Sequence, residues 1–295
     1  MASPTESKVL LGTSRPDKRR MDRSSLTYAN SFENGFKRNV IRTIEWLTGK
    51  LTILHLIRRF EDRGPYTDEQ IWTGALSAMN VDVTTPQAEI ENIPTTGPVV
   101  FVANHPHGMV DGLVMAQILA QRRKDFRILT RSLLTNIHPV ADKFLIPVPF
   151  PGQSDSQEKM VAMRHAAMEN LAGGGLVSLF PSGIVAHSDS LMGPVIEREW
   201  NVFTAKLIRR SGATVVPCYF PGANSRCYQM ANRISPTLRQ GLLIHEIARS
   251  RNSAYRPVIG KPITPDQIAH LPERPRAFVA WLRDQTLSLG PSGSG

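Results

Sequence analysis

Residues 99–112 read VVFVANHPHGMVDG. The first five are apolar and mostly β-branched, which predicts a short buried strand from Val99 to Ala103. Polar residues and a glycine follow at once, and an apolar helical pattern begins after them, so the chain turns between a strand and a helix. In layered α/β proteins, such turns at the carboxyl ends of strands are where ligands bind. The sequence therefore places its candidate site at residues 104–112.

The rest of the chain repeats this alternation of strand and helix. Short apolar runs between glycine, proline or polar residues predict strands, and longer amphipathic runs predict helices. Strands are expected at residues 99–103, 127–130, 145–150, 176–180, 214–220 and 257–263, and helices at 111–122, 157–171 and 200–210. We therefore predict an α/β fold: a single layered domain over residues 81–288, with a central, mostly parallel or mixed sheet flanked by helices.

An N-terminal helical segment over residues 26–80 precedes this domain. Within residues 36–60, apolar side chains recur at three- and four-residue steps, as on one face of a helix. Gly49 weakens the middle of this run, so one helix and two helices are both compatible with the pattern. A further helix is expected at residues 68–79. The amphipathic stripe has two compatible interpretations: it packs on the main domain, or it lies on an anionic membrane with its lysines and arginines beside it.

The 295-residue chain is basic, with 35 Lys and Arg against 25 Asp and Glu, a formal net charge of +10. Residues 197–263 hold eleven basic and three acidic side chains, a net charge of +8, and residues 37–63 hold seven and three, a net charge of +4. Such a field favours anionic partners. We expect an anionic membrane surface and no nucleic acid, because no recognised nucleic-acid-binding motif is present.

The ends of the chain and its cysteines bear on the cellular setting. Residues 1–25 are expected to form a flexible basic tail, and residues 289–295 a flexible tail of small residues. No apolar run approaches the ~20 residues that a membrane-spanning helix needs, so we expect peripheral membrane contact. The 2 cysteines, Cys218 and Cys227, form no disulfide framework and suit a reducing compartment. These features indicate a cytoplasmic protein on the inner face of a membrane.

The polar turn carries the chemistry. His105 has a side chain that can act as a general base near neutral pH, and Asp111 can hold one ring nitrogen and support the imidazolium. His107, four residues from Asp111, is an alternative base. No Gly-x-Ser-x-Gly nucleophile accompanies the pair, so the dyad suits deprotonation of a substrate hydroxyl or amine. A zinc site at His105, His107 and Asp111 is a further alternative, but no metal is expected, because the aspartate is displaced from the usual spacing.

This region resembles the signature blocks of the lysophospholipid acyltransferase superfamily, in its hemolysin-like branch. The first block of that superfamily is usually Asn-His-x4-Asp, and the third is Phe-Pro-Glu-Gly. In this chain the four corresponding blocks are Asn104-His105-x5-Asp111-Gly112, Arg131 after a strand, Phe180-Pro181-Ser182-Gly183 and Val215-Val216-Pro217. The resemblance covers about residues 36–264. The chain departs from the pattern by one extra residue in the first block and by Ser182 in place of glutamate.

The resemblance implies an acyltransferase with no permanently bound cofactor. His105, oriented by Asp111, would deprotonate the hydroxyl of a lyso-lipid acceptor. The oxygen would attack the thioester of acyl-CoA or of an acyl-carrier protein, and no acyl-enzyme would form. The resemblance assigns substrate binding to the other block residues: Asn104, Gly112, Arg131, Phe180, Pro181, Ser182 and Gly183. Because Ser182 lacks a charge, we expect an acceptor other than the usual lysophosphatidate. The alternative is a catalytically inactive, basic lipid-binding module on the same fold.

Overall fold

The computed structural model of the protein describes residues 27, 29, 34–132, 135, 138–149, 155–190 and 193–291, without the side chains of residues 232, 233, 236, 237 and 240. The expected tail of residues 1–25 lies outside the described residues, as do residues 292–295 of the second tail. Leu289 and Gly290, which the sequence assigns to that second tail, are half-buried against Gly260 and Tyr219.

Helices and strands alternate along most of the described chain. The helices are α1 (Gly35–Thr48), α2 (Lys50–Arg63), α3 (Ile71–Met79), α4 (Gln87–Ile90), α5 (Met109–Ala120), α6 (Pro139–Asp142), α7 (Ser156–Ala172), α8 (Val202–Ser211), α9 (Arg226–Ile234), α10 (Pro236–Gly241), α11 (Leu243–Arg249), α12 (Pro265–Ala269) and α13 (Pro275–Leu287). The strands are β1 (Val81–Val83), β2 (Val99–Ala103), β3 (Phe126–Arg131), β4 (Leu145–Val148), β5 (Leu176–Leu179), β6 (His187–Ser188), β7 (Val195–Ile196), β8 (Thr214–Tyr219), β9 (Ser253–Tyr255) and β10 (Val258–Ile259).

A six-stranded sheet in the order β10-β8-β2-β5-β3-β4 forms the centre of the fold. Its strands run parallel except for β10, which pairs antiparallel with β8 at one edge. In the middle, Val100 pairs with Val177 of β5 on one side and with Val215 of β8 on the other. These six strands are the six that the apolar runs predict, so the predicted α/β fold with a mostly parallel, mixed sheet is confirmed.

Helices cover both faces of the sheet, and β2 is therefore buried on both sides. Val99, Phe101 and Ala103 contribute to a core that also contains side chains of α2, α3 and α5. The alternate residues Val100 and Val102 contribute to a second core with side chains of α7, α8 and α13. This two-residue periodicity follows from the pleat of a strand, and it leaves the carboxyl end of β2 as the exit from the core.

The N-terminal helices pack part of their apolar stripe on the main domain. The chain breaks between α1 and α2 at Gly49, where a Cβ atom would lie 3.0 Å from the carbonyl oxygen of Ile244, so the junction approaches α11 closely. Four side chains of α2 are buried in the core that contains β2: Ile53, Leu56, Ile57 and Phe60. Other large apolar side chains of these two helices remain exposed: Phe36, Trp46, Leu47 and Leu51. No helix among the described residues has the length and apolar character needed to span a membrane.

Candidate active site

Three of the four sequence blocks meet at the carboxyl edge of the central sheet, whereas the fourth, at residues 215–217, lies within β8. The first block follows β2, Arg131 ends β3, and the third block follows β5. Because β2, β5 and β3 are parallel neighbours, the segments that follow them leave the sheet at the same edge. The sheet topology therefore gathers segments that lie about 80 residues apart in the chain.

Asp111 is the centre of the turn that follows β2. Its side chain is fully buried, and Oδ2 lies 3.0 Å from Nδ1 of His105 while Oδ1 lies 2.9 Å from Nδ1 of His107. Oδ2 also accepts hydrogen bonds from the main-chain N–H groups of His107 and Gly108, at 2.8 and 3.1 Å. One carboxylate thus holds both candidate histidines and the start of α5. The sequence left His107 open as an alternative, and the structure brings both rings to the same partner.

The charge of Asp111 depends on these contacts. Burial alone raises the pKa of this carboxyl group, but the charge and hydrogen bond of His107, together with those of His105, outweigh it and lower the pKa from 3.8 to about 2. Asp111 is therefore ionised at neutral pH. An ionised carboxylate only accepts hydrogen bonds, so each Nδ1 carries a hydrogen, and in a neutral imidazole Nε2 is then free to accept a proton.

The ring of His105 is restrained on several sides. It stacks on the ring of Phe180, with centroids 3.9 Å apart and planes inclined by 18°. The main-chain oxygen of His105 accepts a hydrogen bond of 2.8 Å from the N–H of Ala186. Its main-chain N–H donates to Oε2 of Glu197 at 3.2 Å. The side chain nevertheless keeps 16% of its surface exposed, so the ring can be reached from solvent.

His107 lies against a different part of the structure. Its ring contacts the edge of Tyr255, with centroids 5.1 Å apart. A Cβ atom at Gly222 would lie 3.0 Å from Nε2 of His107, so the second ring nitrogen faces the main chain after β8. Among the described residues, no three His, Cys, Asp or Glu side chains are grouped so that they could hold a metal ion.

The turn between β2 and α5 requires a glycine. Gly108 caps the N-terminus of α5 with φ of 80° and ψ of −129°, a conformation that L side chains rarely adopt. The N–H of Gly108 points to Asp111 in the first turn of the helix. The extra residue of the first block is accommodated in this turn, because both histidines still reach the carboxylate.

Asn104 makes contacts that differ from those expected of a substrate ligand. Its Nδ2 donates to the main-chain oxygen of Phe220 at 2.9 Å, and its Oδ1 accepts from the N–H of Phe220 at 2.7 Å. Both polar ends of the buried amide are thus used to join the end of β2 to the end of β8. Asn104 therefore has a structural role beside the site.

Arg131 and the third block lie together beside His105. Nη2 of Arg131 donates to the main-chain oxygen of Gly183 at 3.0 Å. The hydroxyl of Ser182 lies 3.0 Å from the main-chain oxygen of Ile184, and the N–H of Gly183 closes a turn onto Phe180 at 3.0 Å. Gly183 has φ of 68°, which a glycine adopts without strain.

Pro181 and Glu197 complete the surroundings of this block. The oxygen of the buried Pro181 accepts a hydrogen bond from Asn201 at 3.0 Å. Glu197 is only 5% exposed, and its Oε1 accepts from the indole N–H of Trp200 at 3.0 Å. Burial raises the pKa of Glu197, and hydrogen bonds from Trp200, the His105 N–H and Ser182 oppose this rise. Glu197 lies in a polar stretch that matches none of the four blocks, so no sequence signal marks it.

An apolar cavity of about 200 Å³ adjoins the start of α5. Its walls come mainly from α2, α3, α5 and the end of β3. The lining residues are Ile53, Leu56, Ile57, Phe60, Ile71, Trp72, Ala75, Ala78, Met79, Met109, Gly112, Leu113, Ile128, Thr130, His138, Ala141, Leu145 and Ile247. Gly112, predicted to bind substrate, directly follows Asp111 of the His–Asp cluster, and a Cβ atom there would meet nothing within 4 Å. Apolar cavities of ~150 Å³ stay dry and bind molecules the size of benzene.

Comparisons with known proteins give three findings. A family model described as acyltransferase matches residues 43–246. Two curated relatives are named lyso-glycine lipid O-acyltransferase: that of Phocaeicola vulgatus is 30% identical over 68% of this chain and 71% of its own, and that of Bacteroides thetaiotaomicron is 28% identical over 68% and 73%. The crystal structure of the 1-acyl-sn-glycerophosphate acyltransferase PlsC from Thermotoga maritima matches with a TM-score of 0.49 and 16% identity, covering 75% of this chain and 76% of that one.

The Asn104 contacts predict a stability effect. Asn104→Ala would leave the buried N–H and carbonyl groups of Phe220 without their partner, and each unsatisfied group costs about 1–3 kcal/mol. We expect the free energy of unfolding, measured in urea, to fall by about 2–4 kcal/mol. Asn92→Ala is the control, because the half-buried Asn92 amide makes one bond, to the main-chain oxygen of Ile259. Equal losses in the two variants would contradict the role assigned to Asn104.

Proposed function

This chain belongs to the lysophospholipid acyltransferase superfamily and is an acyltransferase, and on that premise we propose that it moves a fatty acyl group from a thioester to the hydroxyl of a lyso-lipid. The donor is acyl-CoA or an acyl-carrier protein. The observation that carries the proposal is the contact of His105 with the buried, ionised Asp111 at the carboxyl end of β2. No resident cofactor or metal enters the mechanism.

The acceptor class is proposed from the relatives. Both curated relatives are named for a lyso-glycine lipid, and a glycine that is attached through its nitrogen keeps a free carboxylate. The guanidinium of Arg131 lies beside the third block, and its planar fork suits a carboxylate as well as a phosphate. The absence of a glutamate at Ser182 also agrees with an acceptor other than lysophosphatidate.

The mechanism needs one base. Nε2 of His105 removes the proton of the acceptor hydroxyl, and the oxygen attacks the thioester carbonyl to form a tetrahedral intermediate. The intermediate collapses with loss of the thiolate, which takes the proton back from the His105 imidazolium, so an ester and a free thiol are the products. Asp111 stabilises the imidazolium while it exists. Main-chain N–H groups near Gly183 are candidates to stabilise the oxyanion.

The surroundings of the two rings favour His105 over His107 as the base. His105 stacks on Phe180 of the third block, next to Ser182 and the loop that Arg131 contacts. His107 instead directs Nε2 towards the main chain at Gly222. His107 then serves as a second partner that keeps the Asp111 carboxylate oriented.

A transfer assay tests this assignment. His105→Ala is expected to lower transfer at least about a hundredfold, because the general base is lost, whereas His107→Ala is expected to lower it less. The assay measures ester formation and free thiol with lyso-glycine lipid and with lysophosphatidate, each with acyl-CoA and acyl-carrier protein as donor. His165→Ala, at an exposed histidine of α7, is the control.

Two results would overturn the assignment. A variant His105→Ala with undiminished transfer would remove His105 from the mechanism. No transfer by the wild-type protein with any of the four substrate pairs, together with binding to lipid vesicles, would support the inactive lipid-binding module instead.

The apolar cavity is proposed to take the fatty acyl chain. Gly112, next to Asp111 in sequence, lines this cavity, and many of its other walls come from α2 and α3. A chain whose carbonyl lies at His105 would therefore have an apolar space of about 200 Å³ within reach. Burying its methylene groups there is worth about 0.8 kcal/mol each.

Gly112 offers a test of this cavity. Gly112→Leu fills open space in the cavity, so the ratio of long-chain to short-chain transfer is expected to fall about tenfold. Gly112→Ala is expected to cause a smaller shift and to stabilise the fold by about 0.5–1 kcal/mol, because glycine is unfavourable within a helix. Competition between long-chain and short-chain thioesters measures the ratio. An unchanged ratio in Gly112→Leu, with the fold intact, would contradict the proposal.

We propose that the protein is cytoplasmic and that its N-terminal helices hold it on the inner face of an anionic membrane. Leu47 is 81% exposed and Leu51 is 65% exposed, although both are large and apolar. Arg42, Arg58 and Arg59 are exposed on the same two helices. Apolar side chains beside arginines are typical of helices that lie at the surface of anionic bilayers.

Vesicle flotation tests this surface. Leu47→Glu is expected to weaken binding to anionic vesicles about tenfold, because one leucine no longer enters the bilayer. Val161→Glu is the matched control, since Val161 is 60% exposed on α7, far from α1 in sequence. Added salt is expected to weaken wild-type binding by screening the arginines. Equal flotation of the wild type and Leu47→Glu would contradict this orientation.

A further inference from the structure

Glu197 is a buried acid whose contacts lead directly to the proposed base. Its Oε2 lies 3.2 Å from the main-chain nitrogen of His105, and its Oε1 lies 3.0 Å from the indole nitrogen of Trp200. The hydroxyl of Ser182 in the third block donates to the main-chain oxygen of Ile184 at 3.0 Å, and it lies close enough to the same carboxyl group to lower the pKa of Glu197. Glu197 therefore joins the first block to the segment before α8, and it lies beside the third block.

The carboxylate is stabilised by neutral donors. Within the part of the chain that the structure describes, no lysine or arginine forms an ion pair with Glu197. The neighbouring Arg198 pairs with Asp189, and Arg283 donates to the main-chain oxygen of Glu197 at 2.6 Å. Burying a carboxyl group costs desolvation free energy, and an apolar side chain at this position would avoid that cost. The site retains this group at a point where it touches the catalytic segment.

The contact restricts the position of His105. Asp111 fixes Nδ1, Phe180 covers one ring face, and Ala186 holds the main-chain oxygen. The bond to Glu197 holds the remaining main-chain group, the N–H. Displacement of a reacting group by about 1 Å can cost about a hundredfold in rate. A shift of the His105 main chain would move Nε2 by a comparable distance.

We propose that Glu197 is a positioning residue for His105, and that its carboxylate supplies to the first and third blocks the anchoring that Ser182 cannot supply. Glu197 acts through the main chain of His105 and does not contact the reacting atoms. This inference rests on the proposed function, because it requires His105 to be the base.

Glu197→Gln is the first test. Both carboxylate oxygens accept from N–H groups, whereas an amide has only one oxygen and directs its own N–H₂ at the other donor. We expect kcat to fall about tenfold or more while KM for the lyso-lipid and the thioester stays within about threefold. Glu199→Gln is the matched control, because Glu199 is exposed two residues further along, and it is expected to keep wild-type kcat.

A second substitution, which returns a carboxylate at a neighbouring position, distinguishes a positioning role of Glu197 from a general loss of stability. In the Glu197→Gln background, Ser182→Glu places a carboxylate beside the position that Glu197 occupied, so we expect it to restore at least about half of the lost rate. In the wild-type background, Ser182→Glu brings two carboxylates together and is expected to lower kcat severalfold. The effect of one substitution thus changes sign with the residue at position 197. Thermal unfolding of each variant shows whether the fold is retained.

The outcomes are distinct. Wild-type kcat in a folded Glu197→Gln variant overturns the inference and leaves the proposed function standing. If Glu197→Gln does not fold, Ser182→Glu in the wild-type background is the deciding variant. A severalfold lower kcat supports the proximity of the two carboxylates, and an unchanged kcat overturns the inference. If His105→Ala retains full transfer, the proposed function fails first, whatever the Glu197 variants do.

Discussion

The Asp111 carboxylate is the interaction on which the site depends. It is fully buried, and donors from two imidazole rings and two main-chain N–H groups surround it. A buried charge persists only when such donors compensate for the lost water. The same hydrogen bonds orient His105, His107 and the first turn of α5. The contacts that stabilise the turn therefore also position the two imidazole rings. Asp111 thus both accepts the N–H of the capping residue Gly108 and holds the proposed base.

Much of this arrangement can be predicted from the sequence, because it is local. The strand at Val99–Ala103 follows from five consecutive apolar residues, and the turn follows from Gly108. His105, His107 and Asp111 lie within seven residues, so any turn that begins a helix keeps them close. The order of blocks along the chain also predicts which strands end near the site, since parallel strands share an edge. The sequence favours His105 only through its place after Asn104 in the block. The physical difference between the two histidines lies in Phe180 and Gly222, which come from elsewhere in the chain.

The parts that the sequence did not reveal depend on contacts between distant segments. Glu197 approaches His105 across 92 positions and carries no local pattern. The expectation that Asn104 binds substrate came from its place in a block, whereas its amide is occupied by Phe220, 116 positions away. The apolar cavity likewise exists only because α2 and α3 pack over α5 without filling the space above Gly112. Periodicity identifies the apolar faces of these helices, but it does not determine how closely they meet.

The packing of α2 bears on the division between the N-terminal helical segment and the α/β domain. The sequence divides a helical segment, residues 26–80, from a domain that begins at residue 81. Yet Leu56 and Phe60 share one core with Phe101 of the central strand. A chain truncated at residue 81 would expose that side of the core to water, and large bare apolar surfaces lead to aggregation. The core around β2 therefore includes α2, which the sequence pattern sets apart, and α2 also lines the cavity and carries the exposed Leu51.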